Sequence, residues 1–297
     1  MNLADPMQKF QDWFTQQWVI LTGKRIIPKN EAWLMGPFGN LEGIGETFIT
    51  ELAAKENLII QRNSKDQGLI TSINQLNLSI VELQRLSIEI VSFYECTSNY
   101  DLEFAVKWNP VFKLLGALTN RLFSRRINQL NIPINNLNDA TSLKSEIITL
   151  LEAQNLSVKY TIWLRKIEST NQVIYSGVYG TSILPSGDTC IKAVFPLPNG
   201  NATVIMKPSV NAQGSLVLDS SGKKFGDAGF YFLLKNAKGK FWAKYIRAFR
   251  DQLIVNHQDS QIIAEQTLTL WQLIVLKFKY KIIKKINLPD IIKKENF

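Results

Sequence analysis

Between Ser157 and Ile283 apolar and polar residues alternate in short runs, the period-two pattern of strands that bury one face. Val158, Tyr160, Ile162 and Leu164 interleave with Lys159, Thr161, Trp163 and Arg165, and Val173 to Thr181, Thr189 to Phe195, Ala202 to Lys207 and Leu216 to Leu218 follow. Phe230 to Leu234 and two longer runs, Phe241 to Asn256 and Ile262 to Ile282, complete the series. Turn pairs such as Asn199-Gly200, Gln213-Gly214, Ser221-Gly222 and Lys238-Gly239 separate the runs. No helical pattern intervenes, so successive strands pair as antiparallel neighbours. Pro196 and Pro198, either side of Leu197, mark a fixed corner and not a strand interior.

Upstream the period lengthens. Phe10, Trp13, Phe14, Trp18 and Leu21 recur at helical spacing and predict a short amphipathic helix whose aromatic face packs on something larger; its polar positions are Gln11, Asp12, Gln16 and Gln17, without the basic residues of a membrane-seeking helix. Gly36-Pro37-Phe38-Gly39 and Gly43-Ile44-Gly45 precede a helical run from Glu46 to Lys55. No apolar strand leads into them and no Gly-Lys-Ser/Thr ends them, so they read as structural turns, not a phosphate loop. Ser79-Ile80-Val81-Glu82 has the form of a capping box, and Ile80, Leu83, Leu86, Ile90 and Phe93 carry the helix on to about Glu95. Tyr100, Leu102, Phe104, Val106 and Trp108 then alternate with polar or small residues as a half-buried strand, which Asn109-Pro110 ends. A helical pattern resumes from Val111 to Ile127, with Arg121 and Arg125 one turn apart and Arg126 beside them.

This pattern predicts an α+β protein: a large curved antiparallel sheet of about eight to ten strands, barrel or half-barrel, covered by N-terminal helices. Residues 1–140 form the mainly helical covering region with its strand near 100–108, 141–285 the β region and 286–297 a basic tail, all one integrated domain. With 297 residues, 45% of them hydrophobic, the chain can bury a core without covalent staples. Cys96 and Cys190, the two cysteines, share no metal-type spacing, so no metal and no cofactor is expected. An acid near the N-terminus and no following apolar stretch argue against a secretory signal, and Leu268 to Leu276 is too short to span a membrane. The protein is therefore expected to be cytoplasmic, at most peripheral to the membrane.

The formal charge of +9 is uneven, because Leu273 to Phe297 holds seven lysines against Asp290 and Glu295. Lys277, Lys279 and Lys281 alternate with Phe278, Tyr280 and Ile282, the arrangement of a charged strand at a sheet edge. With Arg121, Arg125 and Arg126 they are the candidate anion contacts, for an acidic headgroup layer above all. No nucleic-acid module surrounds them, so nucleic acid is not an expected partner.

Catalytic side chains are sparse. His257 is the only histidine and reads as a solvated hairpin residue; no Gly-x-Ser-x-Gly elbow accompanies it. Asp227, in Gly226-Asp227-Ala228-Gly229, reads as turn chemistry. Asp101 and Glu103 share the polar face of their strand. Glu95, Tyr100 and Asp101, near Arg125, are the candidates should the protein be an unfamiliar enzyme, which calls for a carboxylate of raised pKa in a cleft. Tyr160, Tyr175, Tyr179, Phe195, Met206 and Phe232 share the parity of one sheet face and are the candidate lining of a ligand cavity. Non-catalytic binding of an apolar or amphiphilic, lipid-like molecule between sheet and helices leads this reading. A peripheral module docking on an anionic membrane or partner protein through its basic edge is the alternative.

Several stretches resemble a family of uncharacterised bacterial proteins: Phe93-Tyr94-Glu95 with Thr97 and Tyr100, Leu122-Phe123-Ser124-Arg125-Arg126, Gln129-Leu130-Asn131, Phe195-Pro196-Leu197-Pro198-Asn199-Gly200, and Phe225-Gly226-Asp227-Ala228-Gly229-Phe230-Tyr231. The resemblance, over residues 36–282, implies a shared fold and transfers no activity and no site residue.

Overall fold

The computed structural model describes residues 3–40, 44–119, 131–133 and 137–285. Its strands are β1 (Lys24–Ile26), β2 (Leu58–Gln61), β3 (Tyr100–Trp108), β4 (Leu137–Glu152), β5 (Val158–Ile167), β6 (Val173–Ile183), β7 (Thr189–Leu197), β8 (Gly200–Val210), β9 (Leu216–Asp219), β10 (Gly229–Lys235), β11 (Phe241–Tyr245), β12 (Phe249–Gln258), β13 (Gln261–Leu270) and β14 (Leu273–Lys284). In the order β8-β7-β6-β5-β4-β3-β14-β13-β12-β9 they pair antiparallel, and β9 returns to β8, which closes a ten-stranded barrel. Closure removes the unpaired edges that an open sheet of this size would expose.

One strand serves two partners on the same edge. The first half of β8 pairs with β10, from Gly200 opposite Leu234 to Ile205 opposite Gly229, and its last residues, Lys207 to Val210, pair with β9. At that fork β10, β11 and β1 leave the barrel as a side sheet. The run from Phe241 to Asn256 is accordingly two strands, broken at Ile246-Arg247-Ala248, with β11 in the side sheet and β12 in the barrel. The run from Ile262 to Ile282 is also two, reversing at Trp271 and Gln272, both at positive φ. Such φ values suit a two-residue hairpin, but Trp-Gln carries none of the usual glycine or asparagine that announces one. Pro196 lies within β7, beyond Val194, the last residue that β6 pairs; proline is tolerated where a strand has a free edge. The reversal itself falls at Pro198-Asn199, with Asn199 at φ 53°.

The helices α1 (Phe10–Thr22), α2 (Thr47–Glu56), α3 (Ile80–Arg85), α4 (Ile88–Glu95) and α5 (Pro110–Thr119) come mostly from the N-terminal part. The Ser79 capping box is formed: the Ser79 hydroxyl accepts from the Glu82 N–H and the Glu82 carboxylate from the Ser79 N–H. The helix does not run unbroken to Glu95. Leu86 is extended and buried, Ser87 restarts the chain as an N-cap, and α4 thereby turns Phe93 and Tyr94 onto one end of the barrel. The helix from Val111 is described to Thr119; Arg121, Arg125 and Arg126 lie outside the described residues.

Two apolar layers flank the barrel wall. Inside, Phe104, Val106, Phe278, Tyr280, Leu143 and Ile147 belong to one continuous core; full burial of rings such as Phe104 and Phe278 contributes about 1.5–3 kcal/mol each. Outside, α2 lays Phe48, Ile49 and Leu52 on Ile148, Leu150, Ile162 and Leu164. The apolar parity of β5 (Tyr160, Ile162, Leu164) thus faces the covering helix, while Trp163 and Arg165 point into the barrel.

The helix α1 also presents an unexpected face. Asp12, Gln16, Gln17, Val19 and Ile20 are buried, with the Gln16 amide donating to the Pro198 carbonyl at 2.6 Å and the Gln17 side chain accepting from the Ala4 N–H at 3.0 Å. Phe10, Phe14, Trp18 and Leu21 are exposed, and only Trp13 of the aromatic series packs into the cluster with Val19, Ile20 and Leu234. The face of α1 turned to the protein is thus the one that carries Gln16 and Gln17.

Candidate functional site

Within the barrel lies a cavity of about 420 Å³. Its wall is mainly aliphatic and aromatic, with Leu102, Ile191, Ala193, Ala202, Val204, Leu218, Leu253, Val255 and Ala264 among the lining residues. Leu69, Ile70, Phe93 and Tyr94 line it from the α4 side, and Trp108, Phe112 and Gly116 from the α5 side. Ten strands enclose a wider interior than eight, which in small barrels already suffices for one ligand. Gly177 brings two lining rings together: a Cβ there would stand 2.9 Å from both Phe195 and Tyr179, so the missing side chain lets those rings converge.

Two charged residues interrupt the apolar wall. Arg165 projects from β5 with its guanidinium 4.1 Å from the Trp163 ring centre and 4.3 Å from that of Tyr175. Its Nη2 donates to the Tyr179 hydroxyl at 2.9 Å, and its Nε is buried without a partner among the described residues. Asp251 projects from β12, 5% exposed, and both its carboxylate oxygens accept from the Gln266 amide, at 2.9 and 2.8 Å. Burial pushes the Asp251 carboxyl up to about 7; the Gln266 hydrogen bonds pull it back and the charge of Asp219 adds to the rise. The Tyr280 hydroxyl donates to Gln266 Oε1 at 3.4 Å and, like those of Tyr175 and Tyr179, is held more firmly protonated by burial.

Of the six residues sharing one expected parity, Tyr175, Tyr179, Phe195 and Met206 line this cavity. Tyr160 does not: it sits on the outer wall under α2, its hydroxyl 3.1 Å from Glu56. Phe232 belongs to the side sheet, edge-on to Trp18 and Phe230. Lys277, Lys279 and Lys281 are exposed, yet β14 is no edge strand, since it lies between β3 and β13. On that outer wall Lys277 stands opposite Lys107, Lys279 opposite Glu265, and Lys281 opposite Glu103, a mixed-charge surface.

The carboxylate candidates do not converge. Glu95 accepts from the Ile73 N–H at 2.6 Å and pins the turn before α3. Tyr100 is buried against Phe93, its hydroxyl pKa raised by burial, while Asp101 points to the other face, 3.5 Å from Lys285. A carboxylate of raised pKa inside a cleft does exist, and it is Asp251. Its signal in the sequence was parity: Phe249, Asp251, Leu253 and Val255 share one face of β12, and Arg165 shares its face with Trp163. His257 is half-buried, with Nδ1 3.2 Å from Glu89 Oε2. Asp227 does the turn chemistry its context suggests, accepting from the N–H groups of Lys223 and Lys224. Both cysteines are free, and among the described residues no three His, Cys, Asp or Glu side chains gather to hold a metal.

The stretches that carry the sequence resemblance have structural work. Tyr231, fully buried, donates to the Asp227 carbonyl and accepts from the Gly226 N–H. A Cβ on Gly229 would meet the Tyr245 ring at 2.3 Å. Thr97 donates to the Phe93 carbonyl at 2.6 Å, locking the end of α4 where Phe93 and Tyr94 close the cavity.

No family model and no solved structure matches the chain. It is similar to a Bacillus subtilis (strain 168) protein named uncharacterized membrane protein YndJ, 30% identical over 190 residues, a stretch that makes up 63% of this chain and 33% of that protein. The chain thus matches about a third of that relative's length. Among the described residues no helix is long and apolar enough to cross a membrane. The expected likeness to an uncharacterised bacterial protein is found, and it names no reaction.

Proposed function

We propose that the barrel binds an apolar or amphiphilic small molecule in its interior, without catalysis. The observation that carries this reading is the cavity of about 420 Å³, enclosed by a closed barrel, walled by hydrocarbon and furnished with a few polar groups, the usual composition of a small-molecule site. Native mass spectrometry of gently purified protein, followed by denaturing extraction, tests it. A stoichiometric apolar molecule is expected, as is saturable binding of the neutral dye N-phenyl-1-naphthylamine that Ala202→Phe abolishes by filling the cavity. Clean apo protein that ignores the dye refutes the reading.

A second reading rests on α1. Exposed Phe10, Phe14, Trp18 and Leu21, with Lys244 Nζ 4.7 Å over the Trp18 ring, combine aromatic residues with a cation as interfacial segments do. The similar protein is named a membrane protein. On this reading the outside of the protein docks on an anionic bilayer while the barrel holds its cargo. Vesicles of phosphatidylcholine and phosphatidylglycerol should pellet the wild type but not the Phe10→Ser, Phe14→Ser double variant; equal pelleting of the two eliminates α1 as the contact.

A further inference from the structure

Resting on that cavity-binding reading, we infer that the ligand is an amphiphile with a single carboxylate head, and that Arg165 is the group its carboxylate meets. Arg165 is 7% exposed, and no carboxylate lies within ion-pair distance of it among the described residues. An isolated buried cation costs several kcal/mol, so the site is built to receive an anion. The aromatic rings of Trp163 and Tyr175 lie against the guanidinium, their centres 4.1 and 4.3 Å away. Such contacts steady the group through its faces and leave the N–H donors of its rim to be satisfied in the plane. Tyr179 takes one of them, and Nε has none. A planar fork with free in-plane donors matches a carboxylate, which accepts two parallel hydrogen bonds.

Charge fixes the head further. Arg165 is the one cation and Asp251 the one acid among the described residues lining the cavity. Asp251 is occupied by Gln266 and is no counter-ion to Arg165. A phosphate monoester would bring ~1.5 to 2 negative charges to that single cation, leaving part of its charge buried and uncompensated. A carboxylate brings one. The Tyr179 hydroxyl accepts from Arg165 and keeps its own proton, a donor for one of the remaining lone pairs. Beyond this polar spot the wall is mainly Leu, Ile, Val, Ala, Phe and Met, with Tyr94 and Trp108 among them, which a small hydrophilic acid would leave wet and a hydrocarbon tail would fill.

Competition against bound N-phenyl-1-naphthylamine tests this with palmitate, hexadecanol and hexadecyl phosphate as probes. Wild-type protein should prefer palmitate over hexadecanol by about tenfold or more, the smallest gain expected of a charge-assisted pair, and should prefer it over hexadecyl phosphate. In Arg165→Gln, checked for folding by circular dichroism, the palmitate preference over hexadecanol should fall to about one. If wild-type protein takes palmitate and hexadecanol equally, the carboxylate inference fails while the cavity reading stands. If hexadecyl phosphate wins, the head is a phosphate and the inference fails as stated. If neither dye nor any probe binds, the cavity reading fails and this inference with it. The wild-type comparison decides the matter even should the variant not fold.

Discussion

Asp251→Asn replaces a buried acid by a neutral side chain of the same shape, and its effect on stability should depend on pH in one direction only. The folded carboxyl titrates at about 7, against an ordinary value of 3.8. Below about pH 4 both folded and unfolded chains carry the proton and Asp251 costs nothing. Between about 4 and 7 the unfolded chain ionises while the folded one stays protonated, so stability falls as pH rises; above 7 the loss is complete. That gap corresponds to a ceiling of about 4 kcal/mol, reduced by whatever water and relaxation reach the site. The groups around Asp251 are Gln266 on β13, Asp219 on β9, and Tyr175, Tyr179, Tyr280 and Arg165 across the cavity. The tyrosines, pushed upward by burial, do not titrate in this window, and the exposed carboxylates titrate alike in both proteins and cancel in the difference. Urea unfolding of wild type and variant from pH 4 to 8 should show the variant gaining on the wild type by up to about 4 kcal/mol. A wild-type minus variant difference that stays flat over this range would mean that Asp251 is solvated and ionised throughout. The cavity would then be wet, and the apolar reading of its wall would fall with it.

Tyr231→Phe leaves the ring in place but strands the Asp227 carbonyl and the Gly226 N–H, both hydrogen-bonded to the hydroxyl; a loss of about 1–3 kcal/mol in urea unfolding is expected, and a change within 0.5 kcal/mol would contradict the role given to this turn. Gly177→Val should lower both stability, by about 1–3 kcal/mol from overpacking against Phe195 and Tyr179, and dye capacity, by crowding the cavity; unchanged dye binding in folded variant would place the ligand elsewhere. Ser79→Ala removes one half of the capping box and should cost about 0.5–2 kcal/mol, read as a shift in the thermal midpoint.

Period and punctuation in the sequence determined the antiparallel sheet, the α+β class, the capped helix at Ser79 and the turn role of Asp227, because each is a local property: alternation, a capping pair, a glycine beside an acid. Parity along a strand separates its two faces but does not say which is inside, and in β5 both are covered. Only the closed barrel decided that Trp163 and Arg165 look inward while Tyr160 lies under α2. The same holds for β14, whose lysines suit an edge until β3, far away in sequence, pairs with it. In α1 the face turned to the protein carries two glutamines whose distant partners are invisible to periodicity, and the aromatic stripe lies outward. The polar pair of the cavity belongs to tertiary structure altogether: Arg165 and Asp251 come from strands β5 and β12, which do not neighbour one another in the sheet. Their shared surroundings exist because the sheet curves round on itself and withdraws both from water.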